Sequence, residues 1–203
     1  MYRPVRAEPG DHFRRESMEL QEALRKRRSI RKFTGEPVSD GEIRSVLEAA
    51  GMAPSWANVQ PWEFIVLRDR SLMERMTATY IDGNPATKCS LAASALIVAC
   101  AITGVSGCYD GKNLTRFNEW FMFDLGMAVQ NLCLKAHELG IGSVVAGLLD
   151  HDRAKELLGL PADREVVACI PLGRPAVAGK EGPPRKPLSQ FAFLDAYGNP
   201  FPE

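Results

Sequence analysis

Histidine is scarce in this sequence. It occurs three times in 203 residues, and none of His12, His137 and His151 has a candidate nucleophile nearby in the chain. All three read as structural or solvated, with His137 in the last turn of a helix whose dipole favours a cation. Cysteine is little better represented. Five residues, an odd number with no C-x-x-C pair, argue against both a disulfide framework and a zinc site. Cys100, Cys133 and Cys169 lie in apolar segments and read as small core residues, while Cys89 and Cys108 flank a buried-looking strand. G-x-G-x-x-G, Walker, G-x-S-x-G and H-E-x-x-H motifs are all missing. A hydrolase or a metal-centred enzyme is therefore poorly supported. If the chain is an enzyme, a cofactor brings the chemistry.

Charge of one sign is lacking too. The formal net charge is +0 with a pI near 6.8, so no basic field exists to hold nucleic acid or an anionic membrane. The longest apolar run, Leu91 to Ile102, is broken by Ser94 and falls short of the ~20 residues a membrane span needs. The N-terminal MYRPVRAEPGDHFRRES has no apolar core, which excludes a signal peptide and predicts a cytoplasmic protein. Composition is otherwise that of a globular chain, and the length suits one domain with arms.

Periodicity and caps divide the chain. Residues 1–16 form an arm, 17–180 the main domain and 181–203 a C-terminal extension. Ser17 to Arg27 reads as a helix capped by Ser17, with Met18, Leu20 and Leu24 on one face. Ser39-x-x-Glu42 is a capping box opening a second helix that stops at Gly51 to Pro54. Trp62 to Leu67 is a strand, Asp69 caps a helix over about 70–80, and 81–90 is turn-rich. Ala95 to Ile102 is a strand buried on both faces. A long helix, apolar on nearly every side, runs from about Thr115 to Leu139 and stops at Gly140. Ser143 to Ala146 and Val166 to Leu172 are strands, separated by a helix capped at Asp150 and stopped at Gly159. Helices and strands do not alternate strictly, which predicts an α+β fold with a small mixed or antiparallel sheet and a central long helix. Phe191, Phe193 and Leu194 in a Pro/Gly-rich tail call for a docking surface, and we expect an intertwined homodimer.

Four stretches can carry chemistry. Arg27-Arg28-Ser29-Ile30-Arg31-Lys32-Phe33 places four cations where a helix gives way to extended chain, so guanidinium forks and a hydroxyl can converge on an anion. A solvated helix end is the plainer alternative. Pro54-Ser55-Trp56-Ala57-Asn58-Val59-Gln60-Pro61-Trp62 offers Ser, Asn and Gln to a planar heteroaromatic, or is an ordinary helix-to-strand connection. Ala146-Gly147 ends a strand with small residues that admit a ligand close to backbone N–H groups, or merely packs there. Arg174 and Arg185-Lys186 return cations late in the chain with nothing local to neutralise them.

Taken in order, Arg-Arg-Ser-x-Arg-x-Phe, Ala-Pro-Ser-x-x-Asn-x-Gln-Pro-Trp, Asp124-Leu125-Gly126-Met127-Ala128-Val129-Gln130-Asn131-Leu132, Pro171-Leu172-Gly173-Arg174-Pro175 and Arg185-Lys186-Pro187-Leu188 resemble the FMN-dependent nitroreductase family. The resemblance implies a nitroreductase-like fold and an intertwined homodimer with two flavins at its interface. It implies NADH or NADPH as electron donor and ping-pong hydride transfer through flavin N5 to an oxidised acceptor such as a nitroaromatic or quinone. Arg27, Arg28 and Ser29 would grip the FMN phosphate and ribityl chain, with Arg185 and Lys186 closing it from the tail. Arg31 would face the N1/O2 edge of the ring. Pro54, Ser55 and Asn58 would reach the ring from the other subunit, and the backbone of Ala146 and Gly147 would address N5 and O4. No metal is implied. Two departures stand out: Ala146 replaces a frequent Glu, where a contact through backbone should leave binding intact, and Trp56 replaces a small residue and would wall the pocket or the interface. The alternatives are a flavin-binding sensor or carrier without turnover, and a branch of the family that fragments flavin or dehalogenates reductively.

Overall fold

In the computed structural model the described residues are 18–177 and 182–202, so the arm at 1–16 and the cap expected at Ser17 lie outside them. Six helices and six strands follow in chain order among the described residues: α1 (Leu20–Lys26), α2 (Asp40–Gly51), β1 (Trp62–Leu67), α3 (Arg70–Thr77), α4 (Thr87–Ala92), β2 (Ala95–Ile102), β3 (Cys108–Tyr109), β4 (Lys112–Asn113), α5 (Trp120–Glu138), β5 (Gly142–Ser143), α6 (His151–Leu158) and β6 (Arg164–Gly173). The main sheet has the order β1-β2-β6-β5 with every neighbouring pair antiparallel. A parallel bridge between Ser29 and Ser143 makes its edge mixed. β3 and β4 form a separate two-residue hairpin.

β2 organises both cores. Alternate side chains of a strand point to opposite faces. Ala95, Ile97, Ala99 and Ala101 therefore join one cluster with α2 and α5, and Leu96, Val98 and Cys100 join the other with α3, α4 and α6. The alanines on the first face let α5 lie close to the sheet. A bulge at Ala99/Cys100 sets Cys100 opposite Val166, skipping Val167.

Local chemistry explains most boundaries. Ser39 and Glu42 complete the capping box of α2, Asp69 accepts from Leu72 N–H, and Asp150 accepts from Arg153 N–H. Gly159 ends α6 at φ +63°, a left-handed cap. Other expectations change. α1 starts at Leu20 with no side-chain cap and turns only Ala23 inward, leaving Leu20 and Leu24 exposed. α5 begins at Trp120, five residues after Thr115, and exposes Met122, Phe123, Gly126 and Gln130. Among the described residues no helix is long and apolar enough to cross a membrane, and no group of three or more His, Cys, Asp or Glu could hold a metal.

Arg174 has a partner that its neighbours in sequence concealed. Its Nη2 donates to both oxygens of Glu42 at 2.7 and 2.8 Å, and its Nη1 reaches Leu139 O. One guanidinium thus ties the start of α2 to the end of α5 at the end of β6.

Candidate functional site

α1 ends at Lys26, and Arg27 (φ −56°, ψ 127°) turns the chain into an extended edge. Ile30 N–H donates to Ser143 O at 2.9 Å, Phe33 bridges Pro175, and Ala176 N–H donates to Lys32 O. Glycine is required beneath this edge. A side chain at Gly142 would overlap Ile30, and one at Gly173 would overlap Phe33.

The edge borders a cavity of about 670 Å³ lined by Lys26, Arg27, Arg28, His137, Glu138 and Ser143 among others. Arg27 makes no side-chain hydrogen bond or ion pair among the described residues, while Glu138 is neutralised by Lys135 at 2.5 Å. Arg28 spends Nη1 on the carbonyls of Arg25 and Arg27, yet its buried Nε has no partner among the described residues, and neither has the buried Nε2 of His137. Buried polar atoms are rarely left unpaired, because each costs about 1–3 kcal/mol. Two such nitrogens beside three cations are an arrangement that an anion would satisfy. His137 departs from expectation here. Burial, followed by the charge of Arg27, holds its pKa below the ordinary value, so it does not act as the cation of a helix C-terminus.

Ser29 and Arg31 alternate with Arg28 and Ile30 along the extended edge, so they face away from that cavity. Both are exposed, and the charge of Arg31 reaches the Cys89 thiol of α4. The expected trio Arg27, Arg28 and Ser29 is therefore split between two sides of one edge. Ala146 differs from expectation as well. Its N–H and C=O are both bonded to Cys169 at 2.9 Å, so of the pair only Gly147, which is exposed, has an N–H to offer. A Cβ on Gly147 would meet only Val167 O, at 3.8 Å, so nothing in the chain itself demands glycine there.

The loop 54–60 lies elsewhere. It takes the left-handed region at Ala57 (φ +43°), Asn58 (φ +58°) and Gln60 (φ +47°), strain of about 1–3 kcal/mol at each such residue. Gln60 N–H donates to Ser55 Oγ at 2.9 Å, and Gln60 Nε2 donates to Asn58 Oδ1 at 3.0 Å. Trp56 N–H reaches both oxygens of Asp124 at 3.2 Å, and its ring lies 5.2 Å from that of Trp120. Asp124 sits near the start of α5 and His137 near its end, about 20 Å apart at 1.5 Å per residue. The sheet gives the same span. Ser143 and Leu172 lie opposite the Ala95 end of β2, Trp62 lies opposite Ala101, and six residues of strand again cover about 20 Å. Within one chain, then, Pro54, Ser55 and Asn58 stand at the opposite end of the fold from Arg27 to Arg31.

Arg185 and Lys186 are exposed on the tail. Gly182 lies against the Arg28 guanidinium, since a Cβ there would overlap it, and three residues reach at most about 11 Å, which keeps Arg185 near the cation cavity. Backbone hydrogen bonds from 187 to 201 stay within the tail, and Phe191, Leu194, Tyr197 and Phe201 are exposed.

Sequence reasoning missed three residues: His137 as part of the cation cavity, Asp124 as an anchor, and Ser106, which donates to Asp124 at 2.5 Å. Only Asp124 lay in a recognised stretch, and its partners are 68 and 18 residues away.

The nitroreductase family model matches residues 24–174, which contain both ends of the described fold. An Archaeoglobus fulgidus protein provisionally named NADH dehydrogenase/NAD(P)H nitroreductase is 37% identical over 153 residues, 73% of this chain and 81% of its own length. A nitroreductase family protein from Clostridium novyi NT superposes with a TM-score of 0.71 at 28% identity, covering 91% of this chain and 97% of the other. The NADPH:FMN oxidoreductase of Vibrio harveyi, solved with NAD+, gives 0.74 at 26% identity, covering 88% and 78%. The motifs stand in the order the resemblance requires, on a four-stranded sheet with a central helix, and this chain belongs to the nitroreductase family.

Proposed function

We propose that this protein is an FMN-dependent oxidoreductase that moves hydride from NADH or NADPH to an oxidised small molecule of the quinone or nitroaromatic kind, working in the cytoplasm as a homodimer. The observation that carries the reading is the cation cavity, where the Arg28 Nε–H donor and the His137 ring nitrogen Nε2 have no partner among the described residues. A phosphate monoester supplies the charge and acceptor oxygens that such donors lack. The names of the Archaeoglobus and Vibrio relatives give the same chemical class.

FMN fits these residues. Arg27 and Arg28 would hold its phosphate, with Arg185 and Lys186 brought from the tail and Ser29 on the ribityl side. Arg31 and the Gly147 N–H would address the ring, and Pro54, Ser55 and Asn58 would reach it from the second copy. The ~20 Å between the two groups within one chain supports that second copy, because a two-fold partner brings the far end of one subunit to the near end of the other. The exposed face of α5 beside Pro54, carrying Met122, Phe123 and Gly126, is the surface such a partner would cover, with the apolar tail wrapping it.

When bound, the flavin supplies hydride acceptance and donation at N5, in two half-reactions sharing one open face. Arg31 would place a fixed positive charge beside the ring, and such a charge favours acceptance of hydride. Trp56, whose ring is tilted against that of Trp120, would narrow what can enter. The test is the visible spectrum of the purified protein, read anaerobically before and after NADH and NADPH, then after a quinone. Flavin bands that bleach and return are expected. A protein that neither retains nor takes up FMN overturns the reading. A solution mass of one 22.4 kDa chain rather than two would remove the dimer.

A further inference from the structure

Asp124 is 2% exposed, makes no ion pair among the described residues, and accepts from two loops that the sequence keeps far apart. Trp56 N–H reaches both of its oxygens, and Ser106 Oγ donates to Oδ2. Trp120 lies four residues earlier on α5, hence on the same helical face, and its ring packs against that of Trp56 at an interplanar angle of 50°. Trp56 is thus gripped twice, by its backbone from Asp124 and by its ring from Trp120. The second loop, 103–113, is bound into the same cluster. Gly107 leaves no room for a side chain under Trp120, and Trp120 Nε1 donates to Thr115 Oγ1 at 2.8 Å.

The loop held in this way is the strained one. Left-handed Ala57, Asn58 and Gln60 persist only where their surroundings over-determine them. The bonds from Gln60 to Ser55 and Asn58 lie inside the loop and move with it. Among the described residues, the side-chain hydrogen bonds and ring contacts that tie the loop to a rigid element are those to Asp124 and Trp120. We propose that Asp124 is a positioning residue that fixes Ser55 and Asn58 through the Trp56 amide and, through Ser106, couples this loop to 103–113, so that two walls of the site move as one. The word site rests on the function proposed above; the coupling between the loops does not.

Amide exchange on the flavin-free protein tests the coupling directly, in wild type, Asp124→Asn and Ser106→Ala. Asparagine loses the negative charge and replaces one acceptor oxygen with a donor, so the charge-assisted bonds from the two loops become at best neutral ones to a single oxygen. Exchange over 56–60 should rise about tenfold or more in Asp124→Asn, the loss of roughly one hydrogen bond. Ser106→Ala should raise it over both 103–113 and 56–60, while β2 and the middle of α5 stay as in wild type. Unchanged exchange at 56–60 in Ser106→Ala overturns the coupling, and this milder variant decides the matter if Asp124→Asn fails to fold. Uniform acceleration that includes β2 would reduce Asp124 to a general stability role and also overturn the proposal. A second arm loads the same proteins with FMN. Retained FMN affinity with a raised acceptor KM and a shifted flavin visible band is expected, because the phosphate end lies elsewhere. Wild type that takes up no FMN would defeat the functional reading while leaving the exchange result to judge Asp124.

Discussion

Replacing Arg27 by alanine separates the anion site from mere basicity. The Arg27 guanidinium lines the cation cavity and makes no hydrogen bond or ion pair among the described residues, so its loss should cost the flavin-free protein little. Its backbone N–H still closes α1 on Ala23 O. Two charge-assisted bonds to a phosphate at about 1.5–3 kcal/mol each amount to at least about 3 kcal/mol, or roughly a 150-fold loss of FMN affinity. Riboflavin has the same ring and no phosphate, and its affinity should move by less than about threefold, since the bonds removed are those to the phosphate. A third reading comes from His137. Burial and then Arg27 depress its pKa, so removing Arg27 should let it rise toward the ordinary value, which NMR titration of the flavin-free protein can follow. Isothermal titration with FMN and riboflavin gives the ratio. If both ligands weaken alike, or the His137 titration stays where it was, Arg27 does not face the phosphate and the cavity has been misread.

Further tests follow the same residues. Arg31→Ala should slow flavin reduction by NAD(P)H in stopped flow while FMN stays bound, and an unchanged rate would remove Arg31 from the ring. Glu42→Gln should destabilise by about 1–2 kcal/mol at neutral pH in urea titrations, since a capping bond and an Arg174 partner are both weakened. Burial raises the Glu42 pKa, but the bonds from Arg174 and Ser39 outweigh it and leave a net lowering from 4.5. The wild-type advantage should therefore be full above the unfolded pKa and fade as pH falls through the lower folded one. Thiol titration near pH 8 should show one fast cysteine, Cys108. Burial raises Cys89 and Cys133, and pushes Cys100 and Cys169 up to about 12. Five fast thiols in the native protein would contradict that core.

Where a segment's own chemistry decides its structure, the sequence was readable to the residue. Trp62–Leu67 and Ala95–Ile102 are apolar runs closed by turn residues, and Ser39, Asp69 and Asp150 cap helices through their own side chains. α4 was not readable. Its six residues have no side-chain cap, and what holds them is burial of Cys89 and Ser90, with Ser90 Oγ 3.0 Å from Tyr80 Oη. α5 starts late because Thr115 Oγ1 accepts from both Phe117 N–H and Trp120 Nε1, a local knot that competes with the first turn. In the site the order of motifs was legible, but its division was not. Only the strand pairing shows that Ser29 and Arg28 face opposite ways and that Ala146 has no N–H to spare, and only the tertiary packing shows that Arg174 serves Glu42 from 132 residues away.

The ~20 Å gap between the basic edge and the strained loop has a genetic consequence. If each flavin borrows its ring-side loop from the neighbouring subunit, no chain owns a whole site, and damage at the two ends belongs to different sites of the dimer. A chain lacking Arg27 and a chain lacking Asn58 would then each form homodimers in which both sites are damaged. Mixed and allowed to exchange subunits, they assemble one doubly damaged site and one intact site. Two null alleles of this gene carried in one cell would then complement each other, whereas two alleles damaged at the same end would not.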